Sequence, residues 1–132
     1  MEDIIKAIKL RKERGNTVFV CGNGGSATTA EHFTNDLFCS DVKAICLNSN
    51  TSIMTMIAND FGYEYIFSMQ LQVFAEPDDL LIVFSCSGKS ENIVKAMQVG
   101  IETITMFGRG DETYQEIENR HLALAHEISD KI

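Results

Sequence analysis

Tryptophan is missing from these 132 residues, and proline occurs once, at Pro77. A single proline leaves no proline-rich linker, and no repeat or low-complexity stretch divides the chain. One domain spanning 1–132 is therefore expected. Basic residues are scarce: eleven Lys and Arg stand against nineteen Asp and Glu, a formal charge of −8. A protein that grips a nucleic-acid backbone needs a basic stripe, so nucleic acid is not an expected partner. No run of about 18 apolar residues occurs, so no membrane span and no membrane partner are expected. Residues 1–14 carry charges throughout and lack the apolar core of a secretion signal. The four cysteines, Cys21, Cys39, Cys46 and Cys86, show no CxxC pair and no metal-ligand spacing. They read as reduced thiols of a cytoplasmic protein.

What is present alternates between two kinds of segment. Thr17–Cys21, Val42–Leu47, Asp79–Phe84 and Thr103–Phe107 are short β-branched or apolar runs that read as strands. Between them lie helical patterns over Glu2–Arg14, Ala27–Phe38, Thr51–Ala58, Tyr63–Glu76, a stretch ending near Val99, and Asp111–Ile132. Continuous apolar strands alternating with helices predict a three-layer α/β/α fold with an open parallel sheet covered on both faces.

Two loops fall where a strand ends and a helix begins, the position at which open α/β sheets bind ligands. Free backbone N–H groups and the helix dipole favour an anion there whatever the net charge. The first loop, Gly22-Asn23-Gly24-Gly25-Ser26-Ala27, superficially fits a dinucleotide fingerprint. The acidic residue that fingerprint requires is missing, because the next strand ends in Leu47-Asn48-Ser49. No Gly-Lys-Ser/Thr closes the loop either, so it is not a P-loop. It is an anion cradle or simply a tight turn. The second loop, Ser85-Cys86-Ser87-Gly88-Lys89-Ser90, places three hydroxyls within six residues. One helix cap needs one hydroxyl, so three point to phosphate binding. Lys89 either adds charge there or is solvated.

Together these residues resemble a known family. Gly22-Asn-Gly-Gly-Ser26 with Ala30-Glu-His-Phe33, then Asn59-Asp-Phe-Gly62, Ile66-Phe-Ser68 and Ser85-x-Ser-Gly-x-Ser90 are similar to sugar isomerase (SIS) domains. Within that superfamily they look most like phosphoheptose isomerases, which convert sedoheptulose 7-phosphate in heptose biosynthesis. The resemblance implies a small phosphorylated sugar as partner, with Ser85, Cys86, Ser87 and Ser90 around its phosphate. It implies that Asn23, Gly24, Ser26, Asp60 and Glu118 meet the substrate, and that Asp36 and His126 are the catalytic pair of a ketose–aldose isomerisation through an enediol. It also implies a homo-oligomer, tetramer or dimer; the sequence requires no cofactor, while some family members bind zinc, for which His32, Asp36, Glu118 and His126 are the candidate ligands. The alternative is a non-catalytic SIS module that binds a sugar phosphate or serves as a protein-interaction scaffold.

Several positions depart from the family. Asp36 stands in place of a glutamate, Cys86 in place of a threonine, Glu118 in place of a glutamine, and Met69 where a basic residue is common. The segment Gly108–Tyr114 leaves no room for a fifth strand, so four strands in the order 2-1-3-4 are expected. Helical spacing tests the acid/base residues separately. At 100° per residue, His32 and Asp36 form an i, i+4 pair opposite the apolar face of their helix. Without the resemblance they would read as two solvated residues. In the last helix His121 falls inside the apolar stripe, as a core histidine with one satisfied nitrogen, while His126 lies on the flank.

Overall fold

The apolar runs become strands in which every side chain is buried: β1, Val18–Gly22, and β3, Leu80–Ser85. Such runs require cover on both faces. In the computed structural model, which describes residues 1–132, they are the two central strands of a parallel sheet ordered β2-β1-β3-β4. The expected order is thus observed. Register runs from Val18↔Leu80 to Gly22↔Phe84. The edges are β2, Ala44–Cys46, and β4, Glu102–Phe107. β2 is shorter than the expected Val42–Leu47. Only Ala44 to Cys46 pair with β1, although Leu47 still donates to the Val20 carbonyl before the chain turns away.

Because strand side chains alternate, the sheet feeds two cores. On one face Val18, Val20, Leu80, Ile82 and Phe84 meet α1 (Glu2–Arg14), α2 (Gly25–Cys39) and α6 (Tyr114–Ser129) through Ile4, Ile8, Phe33, Leu37, Ala125 and Ile128. Phe33 packs edge-on against Phe84 at a centroid distance of 5.7 Å, a geometry that adds about 1 kcal/mol to the area buried. On the other face Phe19, Cys21, Leu81 and Val83 meet α3 (Thr51–Asp60), α4 (Ser68–Phe74) and α5 (Glu91–Met97).

The single helix expected over Tyr63–Glu76 is broken. A 3-10 turn, Tyr63–Tyr65, precedes α4. The break lets consecutive residues Ile66 and Phe67 both bury fully. Buried Gln70 ties it down, its Nε2 donating to the carbonyls of Leu47 and Ile66.

The amino ends of the central strands are stapled by charge. The buried Asp79 carboxylate accepts from Thr17 N at 2.7 Å and from Glu76 N at 2.8 Å. Arg11 donates to the Asp78 carbonyl and to Glu102. With that end closed, the carboxyl ends of β1 and β3 are left to open onto the loops singled out above.

Candidate active site

The two loops do meet. They enclose a cleft of about 290 Å³ lined by Asn23, Gly24, Gly25, Ser26, Ser85, Cys86, Ser87, Ser90, Tyr114 and Glu118. No lysine or arginine lines it, and Lys89 is exposed outside it. Glu118 is the one acidic residue. Any anion held here is therefore held by neutral donors and backbone dipoles.

The serine loop organises its own hydroxyls. Ser85 Oγ accepts from Gly88 N at 2.9 Å, and Ser87 Oγ accepts from Lys89 N at 3.2 Å. Each hydroxyl thereby has an acceptor site engaged and keeps its hydrogen to donate. Ser90 sits at the N-cap of α5 but makes no side-chain cap bond, so its hydroxyl is also free. Burial pushes the Cys86 thiol up, the Ser26 hydroxyl pulls the other way and the Glu118 charge adds to the rise. Cys86 is thus a neutral thiol at pH 7, not a competing anion.

The glycine loop is tight because its helix starts within it. α2 begins at Gly25, two residues before the expected Ala27. A Cβ on Gly22 would stand 2.6 Å from the Ser26 carbonyl oxygen, and a Cβ on Gly25 would collide with the Glu118 carboxyl group. Gly22 is needed for close approach of backbone, whereas Gly25 leaves room for a side-chain end that can swing aside. Asn48 braces the loop from the neighbouring strand: its Oδ1 accepts from Gly22 N and its Nδ2 donates to Gly22 O, at 3.1 and 2.8 Å. The residue that would have to be acidic in a dinucleotide site is instead an amide that extends the sheet.

A second cluster lies outside the cleft, between α2 and α6, which pack side by side. The Nε2 atoms of His32 and His126 are 2.7 Å apart, and His32 Nε2 is 3.4 Å from Asp36 Oδ2. One ligand atom from each of the three residues fits within 4.8 Å. Asp36 Oδ2 is buried without a hydrogen-bond partner. Asp36 is therefore not the solvated side chain that helical spacing alone would make it.

Three residues sit elsewhere in the single chain than expected. Glu118 does not reach the histidine cluster of its own chain. It lies eight residues before His126, about 12 Å along the helix axis, and lines the cleft. Asp60 is exposed and is not among the cleft residues; the end of α3 turns it outward, where it accepts from Asn59 Nδ2. His121 is fully buried as expected, but neither ring nitrogen has a partner. The Phe107 carbonyl beside it is taken by Arg120 at 3.1 Å. Burial, and secondarily the Arg120 charge, pull the His121 pKa down.

Tyr114 and Asn92 were not singled out by the sequence. Tyr114 opens α6 behind a capping box formed by Thr113 and Glu116. That T-x-x-E signature was readable and fixes the helix start, hence the position of Tyr114 at the cleft rim. Asn92 is buried and joined to Asn23 by two hydrogen bonds, a pairing between residues 69 apart that no local signal carries.

An open parallel sheet with a hydroxyl-rich loop and a glycine loop at the carboxyl ends of adjacent central strands defines a phosphate-binding α/β domain. Comparison with known proteins makes the class specific. The SIS domain model matches residues 1–106. The phosphoheptose isomerase of Akkermansia muciniphila is 37% identical over 128 residues, covering 89% of this chain and 68% of that protein. The phosphoheptose isomerase of Synechocystis sp. is 34% identical over 135 residues, covering 95% of this chain and 70% of that protein. Among solved structures, a phosphoheptose isomerase from Francisella tularensis superimposes with a TM-score of 0.93 at 27% identity, covering 98% of this chain and 83% of that one. The chain belongs to the SIS domain family, among the phosphoheptose isomerases.

Proposed function

We propose that the protein interconverts sedoheptulose 7-phosphate and a manno-heptose 7-phosphate in the cytoplasm. The observation that carries this reading is the cleft of neutral donors at the two strand–helix junctions. Relatives named phosphoheptose isomerase match nearly the whole chain, which favours an enzyme over a non-catalytic module. The phosphate accepts from Ser85, Ser87, Ser90 and the free N–H groups at the start of α5. Asn23, Gly24 and Ser26 face the sugar, with Glu118 accepting from its hydroxyls.

Isomerisation moves one proton from C1 to C2. A base takes the C1 proton while the C2 carbonyl oxygen gains a proton, giving an enediol. Return of a proton to C2 and loss of the O1 proton leave the aldehyde. Asp36 and His126 are assigned to these transfers; an imidazole ring can both accept and donate a proton.

Asp36 lies eleven residues beyond Gly25, about 16 Å along α2. The proton-transfer pair thus sits well away from the phosphate loop of its own chain. We assign it to the cleft of another copy in a homo-oligomer, tetramer or dimer. Exposed Phe38 and Leu122 on the same two helices support a packed face there.

His32, Asp36 and His126 also suit zinc, offering two imidazole nitrogens and a carboxylate oxygen. Ligand atoms around a tetrahedral zinc stand about 3.3 Å apart; the 3.4 Å gap between His32 and Asp36 matches and the orphaned Asp36 oxygen gains a partner, while the 2.7 Å between the two imidazole nitrogens has to widen to admit the ion. Bound zinc supplies a Lewis acid that polarises a carbonyl. The test is NMR of sedoheptulose 7-phosphate incubated with the protein, with and without zinc. Appearance of the aldose supports the enzyme. Binding without product points to the module.

A further inference from the structure

The two loops of the cleft come from different strand–helix junctions, and one pair of side chains joins them. Asn23 Nδ2 donates to Asn92 Oδ1 at 2.9 Å, and Asn92 Nδ2 donates to Asn23 Oδ1 at 2.8 Å. Asn92 is 2% exposed and is the second residue of α5, the helix whose start carries the serine loop. Asn23 lines the cleft and also an adjoining hollow of about 480 Å³, together with Tyr63, Glu64, Ser90, Glu91 and Asn92. With space on both sides, Asn23 has little packing to orient it. The Tyr63 hydroxyl, 3.4 Å from Asn23 Oδ1, is its one other side-chain partner.

The inventory of the Asn23 amide then decides what it offers. Its oxygen accepts from Asn92 and Tyr63. One of its two amide hydrogens goes to Asn92, and the second is unspent. An unrestrained amide can turn over and exchange donor for acceptor. The reciprocal pair forbids Asn23 from turning by itself, because that would set oxygen against oxygen and N–H against N–H.

We propose that Asn92 is a positioning residue. It holds the Asn23 amide in place with one N–H unspent, fixes the glycine loop to the serine loop, and so sets the affinity for the sugar phosphate without touching it. This rests on the sugar-phosphate reading of the cleft.

The test is a double-mutant cycle on the full chain: wild type, Asn92→Ala, Asn23→Ala and the double variant. The measurements are kcat and KM for sedoheptulose 7-phosphate, its Kd by calorimetry, and thermal melting. Asn92→Ala should raise KM and Kd about tenfold, the size of losing one hydrogen bond, with kcat within about twofold. In the Asn23→Ala background it should add nothing. An equal loss in both backgrounds, or no change in KM and Kd, overturns the proposal. Should Asn92→Ala fail to melt cooperatively, Asn92→Leu carries the same cycle, since it keeps the size, adds no charge and removes both amide hydrogen bonds to Asn23. If wild type binds the sugar phosphate without turning it over, the isomerase reading fails and the cycle is read on Kd. Wild type that does not bind it overturns both.

Discussion

His32 and His126, 94 residues apart in sequence, face each other with their Nε2 atoms 2.7 Å apart. Two such nitrogens cannot both carry a proton or both present lone pairs at that distance without something between them. One imidazole donates its N–H to the other, or the gap widens and a cation takes both lone pairs. Zinc bound at the proposed site should raise the melting temperature of wild type, and chelation should reverse the gain. His126→Ala should lose both the zinc response and turnover, while its circular dichroism stays unchanged. A zinc-independent melt in wild type would remove the metal from the cluster.

Ser87→Ala removes a hydroxyl whose acceptor site is already engaged by Lys89 N and whose hydrogen is free. The exposed loop should keep its fold, so melting should change little. Affinity for the sugar phosphate should fall about tenfold, the scale of one charge-assisted hydrogen bond. Calorimetry showing wild-type affinity would sink the cradle assignment.

Gly25→Ala should disturb the site through Glu118. The new methyl group occupies the volume of the Glu118 carboxyl. That carboxyl is the far end of a flexible side chain and can swing aside, so melting should change little. The expected result is a raised KM, because Glu118 loses its place in the cleft. Gly25→Ala/Glu118→Ala should then have the KM of Glu118→Ala alone, and a further rise would place the effect elsewhere.

His121 should make the fold acid-sensitive. Its pKa is lowered in the folded chain from the ordinary 6.5, because burial and then the Arg120 charge disfavour the charged form by more than the Phe107 carbonyl and the Glu112 charge favour it. The unfolded chain takes up the proton below pH 6.5 and the folded chain resists it. This residue's contribution to stability is therefore complete above pH 6.5 and declines as pH falls below it. His121→Leu should flatten the loss of stability between pH 6.5 and 5 in urea titrations. A slope equal to that of wild type would clear His121 of the effect.

The strand order and the serine loop were legible because each is written locally. Uninterrupted apolar runs such as Leu80–Ser85 allow only a strand covered on both faces, and three hydroxyls at one helix start exceed what capping needs. The position of His126 on a helix flank, and of His121 in the apolar stripe, followed from the 3.6-residue period. What stayed hidden depends on tertiary neighbours. Asp36 reads as solvated until α6 is laid beside α2. Glu118 reads as a member of the histidine cluster until the helical rise separates it and Gly25 receives it. Asn92 carries no local mark, since its importance comes entirely from a partner on another loop. The split of Tyr63–Glu76 follows from Ile66 and Phe67, two adjacent side chains that both enter the core.

The distance along α2 between the glycine loop and Asp36 has a genetic consequence. If each working centre draws its phosphate loop from one copy and its proton-transfer pair from another, two impaired proteins can repair each other. Subunits carrying Ser87→Ala keep an intact histidine cluster, and subunits carrying His126→Ala keep an intact loop. Co-expressed, they should assemble hybrids in which some centres receive both intact halves. At low substrate, activity in the mixture would then exceed that of either parent alone.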